Sequence, residues 1–100
     1  MSTSHEGKVV VVTGAGNGIG KAIALRFAQA GARVAVNDVD ALRAEEVTKE
    51  ILDEGGSAMT VVADVSSGDE VREMFEKVLK NSESVDVLVN NAGLISPMLH

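Results

Sequence analysis

Val9-Val10-Val11-Val12-Thr13-Gly14-Ala15-Gly16-Asn17-Gly18-Ile19-Gly20 is the stretch that decides the fold. The unbroken β-branched run from Val9 to Thr13 makes a strand that is apolar on both faces. Such a strand is covered on both faces, as in a parallel sheet between layers of helices. Gly14 to Gly20 then makes a turn in which glycine takes positive φ and lets a ligand approach the backbone, because no Cβ stands in the way. From Gly18 to about Ala30 the pattern is helical, with Ile19, Ile23, Phe27 and Ala30 on one side and Gly31 as the stop. The start of that helix aims unpaired N–H groups and the positive end of its dipole at the turn, so a diphosphate is held there without a lysine. A tight strand–helix turn using glycine only for packing would carry the same residues, and the glycines alone leave both readings open. Their spacing is narrower in meaning. G-x-G-x-x-G counted from Gly14 and Gly16 ends on Ile19, whereas G-x-x-x-G-x-G fits through Gly14, Gly18 and Gly20. Lys21, one turn into the helix, is read as solvated.

Outward from the turn the pattern repeats. Arg33 to Asn37 is a second short strand, closed by Asp38. Asp40 caps a helix running to about Glu54, whose inward stripe is Ala44, Val47 and Ile51, with Leu52 a candidate to join it, and Gly55-Gly56 ends it. Ala58 to Ala63 is a third strand, ended by Asp64. Ser67-Gly68-Asp69-Glu70 has the form of a capping box, in which Ser accepts from an amide of the first turn while Glu reaches back. Behind it Val71, Met74, Phe75, Val78 and Leu79 form a full helical stripe. Asp86 to Val89 gives a fourth strand, followed by Asn90-Asn91-Ala92-Gly93. Strands alternating with helices over short loops predict a parallel sheet. The expected fold class is α/β, a Rossmann-type three-layer arrangement with a truncated four-stranded sheet in the order 3-2-1-4 and three crossover helices. That order leaves the fourth strand at an open edge and part of one sheet face uncovered, which predicts marginal stability or self-association.

The strand ends carry the chemistry. A carboxylate at Asp38, closing the second strand, can accept from both hydroxyls of an adenosine ribose. It also repels a 2′-phosphate, which favours NAD over NADP, and no Arg or Lys stands in the glycine turn or directly after Asp38 to offset its charge. Asp40 is read as the helix cap. Asp64 can accept from an adenine amino group while the Val65 amide donates to a ring nitrogen; a plain loop aspartate reads equally well there. Asn90-Asn91-Ala92-Gly93 closes the fourth strand at the same edge. Ligands of open α/β sheets sit beyond the carboxyl ends of the strands, so four polar or glycine-rich ends converge on one crevice.

Composition narrows the partners. The 100 residues suffice for one compact domain, with 45% hydrophobic and 24% charged residues and only two Phe among the aromatics. The net charge of −6 comes without a basic cluster, which argues against nucleic acid and anionic membrane surfaces. There is no cysteine for a disulfide or thiolate site, and His5 and His100 stand alone at opposite ends, so no metal site is expected. The polar start of the chain lacks a signal peptide's apolar stretch, and a cytoplasmic location is expected.

Thr13-Gly14-Ala15-Gly16-Asn17-Gly18-Ile19-Gly20 resembles the T-G-x-x-x-G-x-G cofactor motif of the short-chain dehydrogenases/reductases. Asp64-Val65 and Asn90-Asn91-Ala92-Gly93 look like that family's next two motifs, in order and spacing, and the likeness runs from Lys8 to about Leu94. The family includes 3-oxoacyl-carrier-protein reductases and alcohol, sugar and steroid dehydrogenases. The resemblance implies that Gly14, Gly18 and Gly20 shape the turn and that the backbones of Asn17 and Ile19 approach the pyrophosphate. It implies further that Asp38 holds the ribose, that Asp64 and Val65 read adenine, and that Asn90, Ala92 and Gly93 line the adenosine side. It implies NAD(H) as cofactor and, in a complete enzyme, a small alcohol or carbonyl substrate. In that family a Ser, a Tyr and a Lys four residues after the Tyr carry catalysis, with a further Asn in a proton relay. This sequence has no Tyr, and Ser96 falls too early to be that Ser. Residues 1–100 are therefore expected to be a partial dinucleotide-binding domain without catalytic residues. A stand-alone module that binds NAD or adenine nucleotides is the alternative. An S-adenosylmethionine methyltransferase, which also joins a glycine turn to a ribose-binding acid, is disfavoured by the glycine spacing and the Asn-Asn-Ala-Gly end.

Overall fold

The computed structural model describes residues 6–92. The valine run forms β1 (Val9–Val12), followed by α1 (Gly18–Gln29), β2 (Arg33–Asp38), α2 (Ala41–Asp53), β3 (Ser57–Val62), α3 (Gly68–Asn81) and β4 (Val87–Val89). The strands form one parallel sheet in the order β3-β2-β1-β4. The chain thus runs outward from β1 through β2 to β3, then returns past β1 to place β4 on its other side.

Alternation along the strands divides the core in two. Val10, Val12, Val34 and Val36 face Ala24 of α1 and Ala44, Val47 and Ile51 of α2. Val9, Val11, Ala35 and Val61 face Met74 and Val78 of α3. β1 is covered on both sides, as its composition demands, and its Val10, Val11 and Val12 are fully buried. Each such valine contributes about 1.5 kcal/mol or more relative to an exposed one. Asp86 fixes the β1–β4 pairing at its beginning: its N–H donates to the Val9 carbonyl at 2.8 Å, and its Oδ2 accepts from the Val9 N–H at 2.8 Å.

The structure moves some side chains from their expected places. Ile19 lies at the mouth of α1 and is 70% exposed; the helix comes closest to the sheet at Gly20 and Ala24, a hydrogen and a methyl, with Ile23 and Phe27 packed against the same core as expected. Leu52 is exposed, and its place on the inner face of α2 is taken by Thr48, whose Oγ1 accepts from the Thr60 hydroxyl at 2.8 Å. Only half of the expected capping box forms. Ser67 Oγ accepts from the Glu70 N–H at 3.3 Å, but Glu70 reaches past the cap to accept from the Asp64 N–H at 2.8 Å. The sheet is uneven in its cover. α3 buries Met74 and Val78, while Leu79 on that helix and Leu88 on the open edge strand stay about half exposed. No helix among the described residues is long and apolar enough to cross a membrane.

Candidate functional site

The site grows from the point where the chain leaves β1. Thr13 is buried, and its hydroxyl proton is shared between the Val89 carbonyl and Asn90 Oδ1, each 3.3 Å away, while its oxygen accepts from the Ala92 N–H at 3.1 Å. One side chain thereby ties the ends of β1 and β4 together. Gly14 turns the chain at φ +62°, and its carbonyl accepts from Asn91 Nδ2 at 3.1 Å. A Cβ on Gly20 would run into that carbonyl and lie 2.6 Å from Asn91 Nδ2. The absent side chain is what lets α1 start against the turn. Gly18, with φ +61° and open space around it, is required for its backbone conformation alone.

The start of α1 differs from those of the other helices. Asp40 accepts from the Arg43 N–H to cap α2, and Ser67 caps α3. At α1 the Asn17 side chain makes no such bond and the first turn has no acidic residue. Its amides and the positive end of its dipole therefore face the end of β1 without a counter-charge from their own helix.

Asp38 completes this edge. It is the last residue of β2, half-buried, and each carboxylate oxygen holds one backbone amide: Oδ2 that of Gly16 at 2.9 Å, Oδ1 that of Asp40 at 3.0 Å. The expected ribose-binding acid therefore stands on the same side of the sheet as the glycine turn and touches it. A carboxylate has about four acceptor positions, so two remain.

Asp64 lies one strand further out and is more committed. Its Oδ1 accepts from both the Ser66 N–H at 2.9 Å and the Ser66 hydroxyl at 2.6 Å, and these bonds hold its pKa below the ordinary carboxylate value. Only Oδ2 is left to face a ligand. Val65 packs at the margin of the α3 core. Asn90 and Ala92 join the turn through Thr13, whereas Gly93 lies outside the described residues. Lys21 pairs with Glu50 at 3.4 Å, in keeping with a solvated helix lysine.

Several residues of this edge escape a reading of the sequence. Asn37 is buried within β2; its Nδ2 donates to the Val61 carbonyl at 2.9 Å and the Ala63 carbonyl at 3.2 Å, and its Oδ1 accepts from the Gly14 N–H at 3.4 Å. Its own carbonyl accepts from the Ala15 N–H at 2.7 Å, so one asparagine fixes the turn to the ends of β2 and β3. Gly16 stands outside the spaced motif, yet its amide donates to Asp38. Arg43, on the first turn of α2, packs its Cβ where a Gly16 side chain would go and turns its guanidinium to Asp40 at 3.6 Å. The polar residue in a valine strand was the available signal for Asn37; nothing local marks Gly16 or Arg43. A separate cleft of about 220 Å³, lined by Arg33, Ser57, Met59 and Asn81 among others, opens near the amino ends of the strands, away from this edge.

The sequence pattern of the short chain dehydrogenase family matches residues 8–100. The chain is 48% identical over 88 residues to the 3-oxoacyl-[acyl-carrier-protein] reductase of Staphylococcus epidermidis, covering 87% of this chain and 36% of that protein. It is 44% identical over 88 residues to the 7α-hydroxysteroid dehydrogenase of Escherichia coli, covering 88% of this chain and 34% of that one. The solved structure of 7α-hydroxysteroid dehydrogenase complexed with NADH and 7-oxo glycochenodeoxycholic acid superposes with a TM-score of 0.83 at 42% identity, over 85% of this chain and 33% of the other. A short chain dehydrogenase from Mycobacterium avium gives 0.84 at 40% identity, over 91% of this chain and 34% of the other. The chain thus spans about a third of the length of the relatives it matches. A glycine turn opening onto an uncapped helix, an acid at the end of the second strand and this likeness in sequence and fold agree: the chain belongs to the short chain dehydrogenase family.

Proposed function

We propose that this chain binds NAD(H) and is the cofactor-binding part of an oxidoreductase that moves hydride between the nicotinamide and a small alcohol or carbonyl substrate. The observation that carries the reading is the carboxylate of Asp38, held by the Gly16 amide beside the open start of α1. An anion-accepting helix end and a diol-accepting acid are thereby adjacent, as a ribose joined to a diphosphate requires.

The residues fit that group. Gly14, Gly18 and Gly20 keep the turn free of side chains; the backbones of Asn17 and Ile19 meet the pyrophosphate; Asp38 takes the adenosine ribose. Asp64, through Oδ2, and the Val65 amide meet adenine, and Asn90 and Ala92 line the adenosine side. Asp38 carries a negative charge where a 2′-phosphate would sit, which favours NAD over NADP. Arg43 stands close by, but its guanidinium is turned to Asp40. The bound cofactor supplies a hydride acceptor or donor at its nicotinamide ring; the contribution of these residues is to bind and orient the adenosine end. The Tyr of the family resemblance is not among residues 1–100, and the roles proposed for these residues are those of cofactor binding. The half-exposed Leu88 and the position of β4 at the edge of the sheet among the described residues favour association of the isolated chain with itself.

The test is a fluorescence titration of NADH with the purified chain. Saturable enhancement supports the reading, and no saturable signal at millimolar NADH removes it.

A further inference from the structure

We propose that Gly16 is the positioning residue for the ribose-binding carboxylate: its amide fixes Asp38, and its missing side chain is what leaves that carboxylate room to stand. The inference rests on the reading that Asp38 receives the adenosine ribose, and it assigns to Gly16 the selectivity of that site for a vicinal diol.

A carboxylate on its own turns freely, because the last torsion of an aspartate is broad and roughly two-fold. Asp38 is held at both oxygens, but by bonds of different kinds. The bond from the Asp40 N–H, 3.0 Å long, comes from two residues away and travels with Asp38 wherever that segment goes. The bond from the Gly16 N–H, at 2.9 Å, crosses from β2 to the glycine turn and alone sets the carboxylate relative to the start of α1. The two remaining acceptor positions are thereby given a fixed direction, which two hydroxyls at fixed spacing on one sugar require and a single hydroxyl does not.

The space at Gly16 is closed. A Cβ there would lie 2.7 Å from Asp38 Oδ2, 2.9 Å from Asp38 Cγ and 2.8 Å from Arg43 Cβ. Arg43 Cβ is a stem atom on a backbone anchored by its N–H to Asp40 Oδ1 at 3.2 Å, so it has little freedom to retreat. The carboxylate is what moves. Gly16 is not among the glycines with positive φ, unlike Gly14 and Gly18, so alanine is compatible with its backbone. Gly16→Ala therefore adds no φ strain, and what it perturbs is the contact with Asp38, with Arg43 Cβ as the wall on the other side.

The experiment compares titrations of NADH and its 2′-deoxyadenosine analogue against the full chain as wild type, Gly16→Ala, Asp38→Ala and the double variant, each checked for folding by circular dichroism. Hydrogen bonds to a charged acceptor predict that the wild type prefers NADH over the deoxy analogue by roughly ten- to a hundredfold. Gly16→Ala should shrink that preference to about threefold or less while leaving the affinity for the deoxy analogue nearly unchanged, and in the Asp38→Ala background it should change neither. Undiminished preference in Gly16→Ala, or equal loss for both ligands, overturns the role of Gly16 and leaves NAD binding standing. Tight NADH binding with no diol preference in the wild type overturns the assignment of Asp38, and no binding at all overturns the proposed function. Should Gly16→Ala not fold, amide hydrogen exchange at Gly16 decides: exchange about tenfold or more faster in Asp38→Ala than in wild type supports the bond, and equal rates refute it.

Discussion

Replacing Asn37 by leucine separates the work of its amide from the space it fills. Asn37 is 1% exposed and makes three hydrogen bonds, to the carbonyls of Val61 and Ala63 and from the N–H of Gly14. Leucine keeps the branched shape and is the larger side chain, so no cavity is left and any overpacking adds to the loss. What remains is the loss of partners for groups that are shut away from water. A stranded buried polar group costs about 1–3 kcal/mol, with the carbonyls at the lower end because each has a second lone pair. The 3.4 Å bond from Gly14 is the weakest of the three. The sum is about 2–4 kcal/mol, which in a domain of this size lowers the melting temperature by roughly 10–25 °C. Thermal and urea denaturation followed by circular dichroism measure it. Asn37→Asp should be worse than Asn37→Leu, because it keeps the acceptor for Gly14 but turns a charge toward two carbonyl oxygens. A melting temperature for Asn37→Leu within about 3 °C of wild type would refute the claim that this asparagine holds the glycine turn to the sheet.

Other outcomes follow from single contacts. Gly20→Ala should destabilise by about 3 kcal/mol, the upper end for overpacking, because its Cβ meets the Gly14 carbonyl, which cannot yield without moving α1; a stability change below about 1 kcal/mol in urea melts contradicts this. Asp64 should titrate below the ordinary carboxylate range, and Ser66→Ala should move it part of the way back, since the hydroxyl bond is lost while the bond from the residue-66 N–H remains, as read by carbon-detected NMR. Since its folded pKa is the depressed one, its small stabilising effect is present above the unfolded value and lost as pH falls through the folded value; an unchanged titration in Ser66→Ala contradicts the assigned cause. Leu88→Lys should reduce concentration-dependent association in sedimentation velocity, since a charge on an edge strand opposes pairing with another chain. Association as strong as in wild type would place the contact elsewhere.

The fold was legible because its signals are local. A valine run has one comfortable setting, between two layers of helices, and alternating strands and helices with short loops leave little choice of topology. Of the residues at fourfold spacing, Ile23 and Phe27 pack against the core and Ile19, at the helix start, does not; the closest contact with the sheet is made by Gly20 and Ala24, which carry little hydrophobic signal. Leu52 and Leu79 misled similarly, as apolar residues at the rims of their stripes. At the site, the glycine spacing and Asp38 were readable because a strand end followed by a helix start defines where they point. Asn37, Gly16 and Arg43 were not. Their roles depend on which residues of β3 and α2 stand opposite them, and a one-dimensional spacing does not contain that. The methyltransferase alternative falls with the family match, which covers the glycine turn and the Asn90–Ala92 strand end together.

The account is tested most directly by titrating the isotope-labelled chain with NAD and following backbone amide shifts by NMR. It predicts saturable shifts at Gly16, Gly18, Ile19, Gly20 and Asp38, with little change around Arg33 and Asn81 at the other end of the sheet. Shifts confined to that other end, or none at millimolar NAD, would contradict it.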